Sequence, residues 1–241
     1  MTRRQVESAR KASVTGSAQL ATMFERSAHG SGMFELWDAF VTSFAAMLAA
    51  GSGNECDWLI ERAAGSTGRI TKGAAEDIPK LYDPVIQAFE DNPYQDLLGD
   101  VYMRLNLGNK NTGQFFTPYH VADMMARLEL DEDIVTRQIA EHGYTTFNEP
   151  AAGGGANVIA MAHALKDKGI NYQRHLWFVA QELSELTALT CYVQCSIIGM
   201  AGVVYIGDTL RMDYHHALYT PMCVLDDLWP WRMVARELTR V

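Results

Sequence analysis

The chain has 241 residues, 48% of them hydrophobic and 20% charged, with a formal net charge of −9. That balance excludes wholesale disorder and leaves room for one sizeable α/β domain beside a smaller helical one. The acidity speaks against a large dedicated nucleic-acid surface, although a local basic strip can act within an acidic chain.

The first residues, MTRRQVESARKAS, lack the apolar core of a signal peptide, and the richest apolar run, Ala39 to Ala50, is short and punctuated by Thr42 and Ser43. A cytoplasmic location is therefore expected. Residues 1–32, rich in Ser, Ala and Gly, read as a loosely held arm, in which Arg3, Arg4, Arg10 and Lys11 are either solvated or in reach of phosphates.

From Met33 to Leu105 the pattern is helical: Phe34, Trp37, Phe40, Val41 and Phe44 recur at spacings of three and four, as do Leu81, Val85, Ile86 and Phe89. Asn92-Pro93 interrupts, and Pro93 suits the start of a helix over Tyr94 to Leu105. GNKNTG, Gly108 to Gly113, has the composition of a loop. Thr117 as N-cap and Pro118 in the first turn open a helix through Val121, Met124, Met125 and Leu128, and a polar helix follows over Asp131 to Glu141.

Thereafter strands and helices alternate. Strand Tyr144 to Phe147 leads through a glycine-rich turn to a helix from Ala156 to Lys168. Strand Leu176 to Ala180, helix Ser184 to Ile198 and strand Val203 to Ile206 follow, and Met222 to Leu225 offers a fourth strand. The expectation is an α/β fold with a doubly wound, parallel, Rossmann-like sheet preceded by a helical region. Cys56, Cys191, Cys195 and Cys223 form no metal signature and read as buried reduced thiols.

Ligands of such sheets bind beyond the carboxyl ends of the strands, and three strand ends here carry suitable residues. The first is NEPAAGGGA, Asn148 to Ala156, where Gly153, Gly154 and Gly155 permit close backbone approach at a helix N-terminus. Alone it is equally a structural turn. The second is VAQE, placing Glu182 where an acid can accept from both ribose hydroxyls, or simply begin a helix. The third is YIGDTL, whose Asp208 can accept from an adenine amine or shape a turn. In this order, at successive strand ends, they describe a nucleoside pocket.

NPYQDLLGDVYMRLNLGNKNTGQFFTPYHVADMMARL, followed by NEPAAGGGA, QELSELTALTCYVQCSIIG and GDTL, resembles the modification subunits of type I restriction systems and their N6-adenine DNA methylase relatives over Asn92 to Leu210. The resemblance implies S-adenosylmethionine as cofactor, with Phe115, Phe116, Thr117 and Pro118 against its methionine portion and Glu149, Pro150, Ala151, Gly153, Gly155, Glu182, Asp208 and Thr209 completing the pocket. Where the family reads DPACGSG, this chain has Glu149 for the Asp, Ala152 for the Cys and Gly154 for the small polar residue. It divides the chain into an arm and helical region over 1–107 and a methyltransferase-like domain over 108–241, C-terminally truncated relative to the family.

The family's catalytic NPPY or NPPF is absent. At its place stands MCVLDDLWPW, in which Asp226 and Trp229 supply an acceptor for the adenine amine and a ring to stack on the flipped base, with Asp227 and Trp231 as an alternative register. The bland alternative is a turn with core aromatics. The expected activity is DNA adenine-N6 methylation of low sequence specificity. The alternatives are a catalytically inactive cofactor-binding decoy or partner of a restriction–modification assembly, and methylation of RNA or protein.

Overall fold

A computed structural model describes residues 16–52, 56–108, 116–225 and 228–232. The chain begins with helix α1 (16–27), followed by α2 (Met33–Gly51), α3 (Asp57–Thr67) and α4 (Lys72–Asp77). A 3-10 turn over Ile78–Leu81 leads into α5 (Tyr82–Asp91), and α6 (Leu97–Arg104) closes the helical part. The expected loose arm is thus corrected over 16–27: Leu20 and Phe24 are buried, and the Phe24 ring packs edge-on against Phe40 at 4.8 Å. Helix α2 is 19 residues long with mean hydropathy 1.3, long and apolar enough to cross a membrane. Here it is the central core helix, with Leu36, Trp37, Phe40, Val41 and Phe44 fully buried.

One charged residue enters that buried face. Asp38 is held by Arg62 Nη2 at 2.6 Å, Ser66 Oγ at 2.8 Å and Arg69, while Arg62 Nε reaches Glu185 Oε1 at 2.6 Å. A carboxylate out of water needs such company, because desolvation alone would expel or neutralise it.

The second half runs α7 (Tyr119–Glu129), α8 (Glu132–His142), β1 (Thr145–Glu149), α9 (Ala156–Asp167), a short α10 (Tyr172–His175), β2 (Leu176–Glu182), α11 (Glu185–Ile197), β3 (Ala201–Asp208), β4 (Asp213–Tyr219) and α12 (Met222–Leu225). Asp131, expected as the first residue of the polar helix, instead caps α8 by accepting from Asp133 and Ile134 N–H at 3.0 Å. The N-cap of α7 is Pro118, not Thr117, and α6 starts at Leu97 behind an Asp96 cap, three residues later than Pro93 implied. The sheet order is β1-β2-β3-β4, with the first two pairings parallel and the last antiparallel.

Among the described residues no strand pairs with the far edge of β1, so the strand order never reverses. The mixed α/β class stands, and the described strands account for a four-stranded mixed sheet without reaching the doubly wound arrangement. Met222 to Leu225 is helical, its apolar side laid against the sheet, and the fourth strand is the hairpin return Asp213–Tyr219.

The sheet's two faces separate by residue parity. Leu176, Phe178 and Ala180 join the main core with α9 and α11. Trp177 and Val179 face the other way, into a small cluster with Tyr144, Val203, Cys223 and Trp229. The main core is continuous from α1 to β4, so the early helices and the sheet share one apolar interior.

Replacing Asp38 by Ala removes the carboxylate that gathers two guanidinium groups against α2. The expected loss is about 2–3 kcal/mol, below the full cost of breaking a buried pair because both arginines keep some access to water. Urea unfolding of wild type and Asp38→Ala measures it.

Candidate functional site

The turn after β1 is closed by its own side chains. Glu149 ends the strand, and its carboxylate accepts from Ala151 N–H at 3.1 Å and from Asn157 Nδ2 at 2.9 Å, tying the strand to the first turn of α9. Gly153 (φ +55°) and Gly155 (φ +103°) occupy the left-handed region, which a side chain disfavours. At Gly155 space is also short, since an added Cβ would come 3.0 Å from Cys191 Sγ on α11.

The neighbouring strand ends lock onto this turn. Gly153 N–H donates to Glu182 Oε2 at 3.0 Å, Ala152 N–H donates to the Gln181 carbonyl at 2.9 Å, and Thr209 Oγ1 donates to the Pro150 carbonyl at 2.9 Å. In register, Glu149 lies opposite Ala180 and Glu182 opposite Ile206, so each strand reaches two residues beyond the one before it. The acids Glu149, Glu182 and Asp208 thereby descend like steps along one edge, about 7 Å apart at the usual rise per residue. Glu182 Oε1 also accepts from Ser184 N–H at 2.8 Å, and Asp208 Oδ1 accepts from Leu210 and Arg211 N–H at 2.9 and 3.2 Å. Each acid therefore shapes its own turn and stays half-buried at the strand ends. Carboxylate oxygens have lone pairs to spare for a further donor.

Phe116 covers the turn. Cβ atoms built at Gly153 and Gly154 would each meet its ring at 3.5 Å, and the ring packs edge-on against Tyr102. Thr117 and Pro118 are exposed at the head of α7, while Phe115 lies outside the described residues. Helix α7 is anchored to α9 by a charged cluster: His163 Nδ1 is 2.9 Å from Asp123 Oδ1, and Arg127 reaches Asp123 at 2.9 Å and Asp167 at 2.7 Å. Burial works against the Asp123 charge, but hydrogen bonds from His163 and Arg127 overcome it and draw the carboxyl down to about 2.

Two further residues of the site had no role assigned from the sequence. Gln194 sits mid-helix on α11, fully buried. Its Nε2 donates to the Gly154 carbonyl at 2.7 Å and to Asp96 Oδ1 at 2.8 Å, and its Oε1 accepts from Leu98 N–H at 2.9 Å. Asp96, 3% exposed, also accepts from Gly99 N–H at 3.1 Å. Burial pushes its carboxyl up to about 6, against the pull of the Gln194 hydrogen bond. The available signal for Gln194 was a lone amide inside the apolar helix stretch CYVQC, and for Asp96 an acid within the expected helix Tyr94 to Leu105. Beside the turn, Asn157 Oδ1 is buried with no partner among the described residues.

Trp229 requires correction. Its ring is fully buried against Tyr144 and Trp177, at centroid distances of 5.6 and 5.5 Å, and its Nε1 donates to the Gln173 carbonyl at 3.2 Å. Arg232 lies over the same ring. A ring so enclosed has no face for a base. Trp231 is 76% exposed, whereas Asp226 and Asp227 lie outside the described residues.

The carboxyl ends of parallel strands, where these acids and the glycine turn gather, are where α/β proteins bind nucleotide-like ligands. The N-6 DNA Methylase family description matches residues 94–226, just over half of the chain. The chain belongs to that family of DNA methyltransferases, and the matched stretch contains Asp96, Phe116, the glycine turn, Glu182, Gln194 and Asp208. No curated protein matches it.

Two outcomes are expected. Trp229→Ala loses about 3–5 kcal/mol of stability, the cost of emptying a buried aromatic site, in a denaturant titration followed by circular dichroism. Asp123, with its folded pKa below the unfolded value, contributes stability above about pH 4 that disappears as pH falls toward about 2. Asp123→Asn removes that acid-limb dependence, on the order of 1–2 kcal/mol, in unfolding measured across the range.

Proposed function

We propose that this chain binds S-adenosylmethionine at the staircase of strand ends and serves adenine-N6 methylation of DNA. The observation carrying the reading is the Gly153–Glu182 hydrogen bond, which sets a ribose-binding acid directly beside a glycine turn roofed by Phe116. Glu182 accepts from the ribose hydroxyls, Asp208 from the adenine amine, and the turn with Phe116 to Pro118 holds the amino-acid end. When bound, the cofactor supplies a methyl group on a sulfonium. The chain's part is to orient that methyl and keep water away, which is how positioning and solvent exclusion accelerate such a transfer. For the target base, Asp227 with the exposed Trp231 is the register in which the ring is open; Asp226 keeps its proposed acceptor role on sequence grounds alone.

A second reading, a cofactor binder without transferase activity that partners a restriction–modification assembly, is favoured by the burial of Trp229. Calorimetry with S-adenosylmethionine and transfer of a labelled methyl group to unmethylated DNA, single- and double-stranded, separate the two. We expect micromolar binding, weakened about tenfold or more by Glu182→Ala, as befits loss of charge-assisted hydrogen bonds, together with N6-methyladenine in the product. Binding without transfer selects the second reading, and absence of binding overturns both.

A further inference from the structure

The sheet face opposite α9 and α11 is only partly covered. Toward the amino ends of the strands, α12 and residues 228–232 close it over Trp177 and Val203. Beyond them the face is open among the described residues: Asn148 and Ala217 are exposed, and Gln181 and Tyr205 are half-buried. What it shows is aromatic and amide rather than aliphatic. Tyr205 and Tyr214 stand side by side with ring centroids 5.1 Å apart, and Tyr219, 39% exposed at the edge, hydrogen-bonds to Tyr205. A polar ladder crosses the same face at the strand ends. Tyr214 Oη donates to Gln181 Oε1 at 3.1 Å, and Gln181 Nε2 donates to Asn148 Oδ1 at 3.2 Å. Every strand residue whose parity points it to this side, from Thr146 on β1 to Tyr219 on β4, is uncharged, although the chain carries a net −9. Glu149, Glu182 and Asp208 fall on the opposite parity. Arg232 borders the face at one end, over the Tyr144 and Trp229 rings, and Arg211 at the other, in the turn before β4 with 82% of its side chain exposed.

We propose that this open face is a stacking platform for unpaired DNA bases, with Tyr205, Tyr214 and Tyr219 as its binding residues. The inference rests on the reading above that DNA is the substrate, and it names the surface that holds the strand. A tyrosine ring offers a π face to any base, and the amides offer donors and acceptors to base edges. The absence of carboxylates spares the phosphates the repulsion they would meet elsewhere on so acidic a chain, and the two bordering arginines add attraction. The ladder ends at Asn148, next to Glu149, whose carboxylate is tied to the glycine turn through Ala151 N–H. DNA lying over the tyrosines therefore runs toward that turn. Single-stranded or locally opened DNA is the form that presents base faces, since a duplex keeps them stacked inside. Stacking of this kind favours no particular base, in keeping with the low sequence specificity expected of the chain.

The test is fluorescence anisotropy of the full chain with a labelled oligothymidine of about 20 nucleotides, longer than the site one such surface covers. It contains no adenine, so the target-base site plays no part. Wild type is expected to bind the single strand about tenfold or more tighter than its duplex with oligodeoxyadenosine. Tyr219→Ala and Tyr214→Ala each weaken single-strand binding about fivefold or more, the scale of one lost base–ring stack, while Tyr219→Phe, which keeps the ring, stays within about twofold. Circular dichroism checks that the variants are folded. Wild type alone gives a second readout: photocrosslinks from an oligonucleotide carrying 5-iodouracil are expected on Tyr205, Tyr214 or Tyr219. Unchanged affinity in both alanine variants, or crosslinks confined to other parts of the chain, overturns the platform. Self-association that Tyr219→Ala abolishes, with no oligonucleotide bound, assigns the face to a second copy and overturns it as well. The oligonucleotide is titrated without cofactor, so failure of the platform and failure of the cofactor reading show up separately.

Discussion

A primary carboxamide sealed from water must satisfy both of its ends inside the protein, since each orphaned polar atom costs about 1–3 kcal/mol. Gln194 is such a group, and its three partners come from two separate pieces of chain: the start of α6, with the Leu98 N–H and the Asp96 carboxyl, and the glycine turn, with the Gly154 carbonyl. The amide is planar, so those three positions are fixed relative to α11 in one geometry. Other features of the site follow. With Gly154 held, Gly153 presents its N–H to Glu182, and Phe116 finds a flat, glycine-lined floor. With α6 held, the early helices share a core with the sheet, and the Asp38–Arg62–Glu185 chain of charges repeats the same tie at the other end of α11.

The charge around the turn is lopsided. Glu149, Glu182, Asp208 and Asp96 gather there, answered among the described residues by backbone N–H groups of the glycine turn, of the turn after β3 and at the starts of α6 and α11. A phosphate-binding glycine turn would be poorly served by four carboxyls. A ligand with hydroxyls, an amine and a cationic end is well served. The acidic balance of the chain thus fits the small ligand better than it fits DNA, whose backbone would need cations concentrated elsewhere on the surface.

Much of this was legible in the sequence because local chemistry decided it. Alternation of strands and helices from Tyr144 onward, the glycine turn and the polar helix after Leu130 depend on neighbours a few residues away, and the order of acids at strand ends follows from topology. What was illegible depended on distant partners. Residues 16–27 looked like a loose arm because Leu20 and Phe24 are sparse in a polar stretch, and only the facing surface of α2 makes them core. Met222–Leu225 read as a strand because four apolar residues fit either period, and the sheet took Asp213–Tyr219, polar on its exposed side, as its fourth member. Asp96 and Gln194 are separated by 98 residues, so no window could connect them.

The tryptophans near the end of the described chain show how one such long-range contact redirects a functional reading. Residues 228–232 are helical, and a helix turns about 100° per residue, so positions two apart point roughly 200° away from each other. Trp229 is claimed by the pocket between Tyr144 and Trp177, which was left open on the sheet face opposite α9 and α11. Once that ring is buried, Trp231 must face outward, as it does. The two rings were therefore never interchangeable candidates: filling the core with the first is what exposes the second. The base-stacking role proposed for this segment therefore rests with Trp231, by helical geometry rather than by motif.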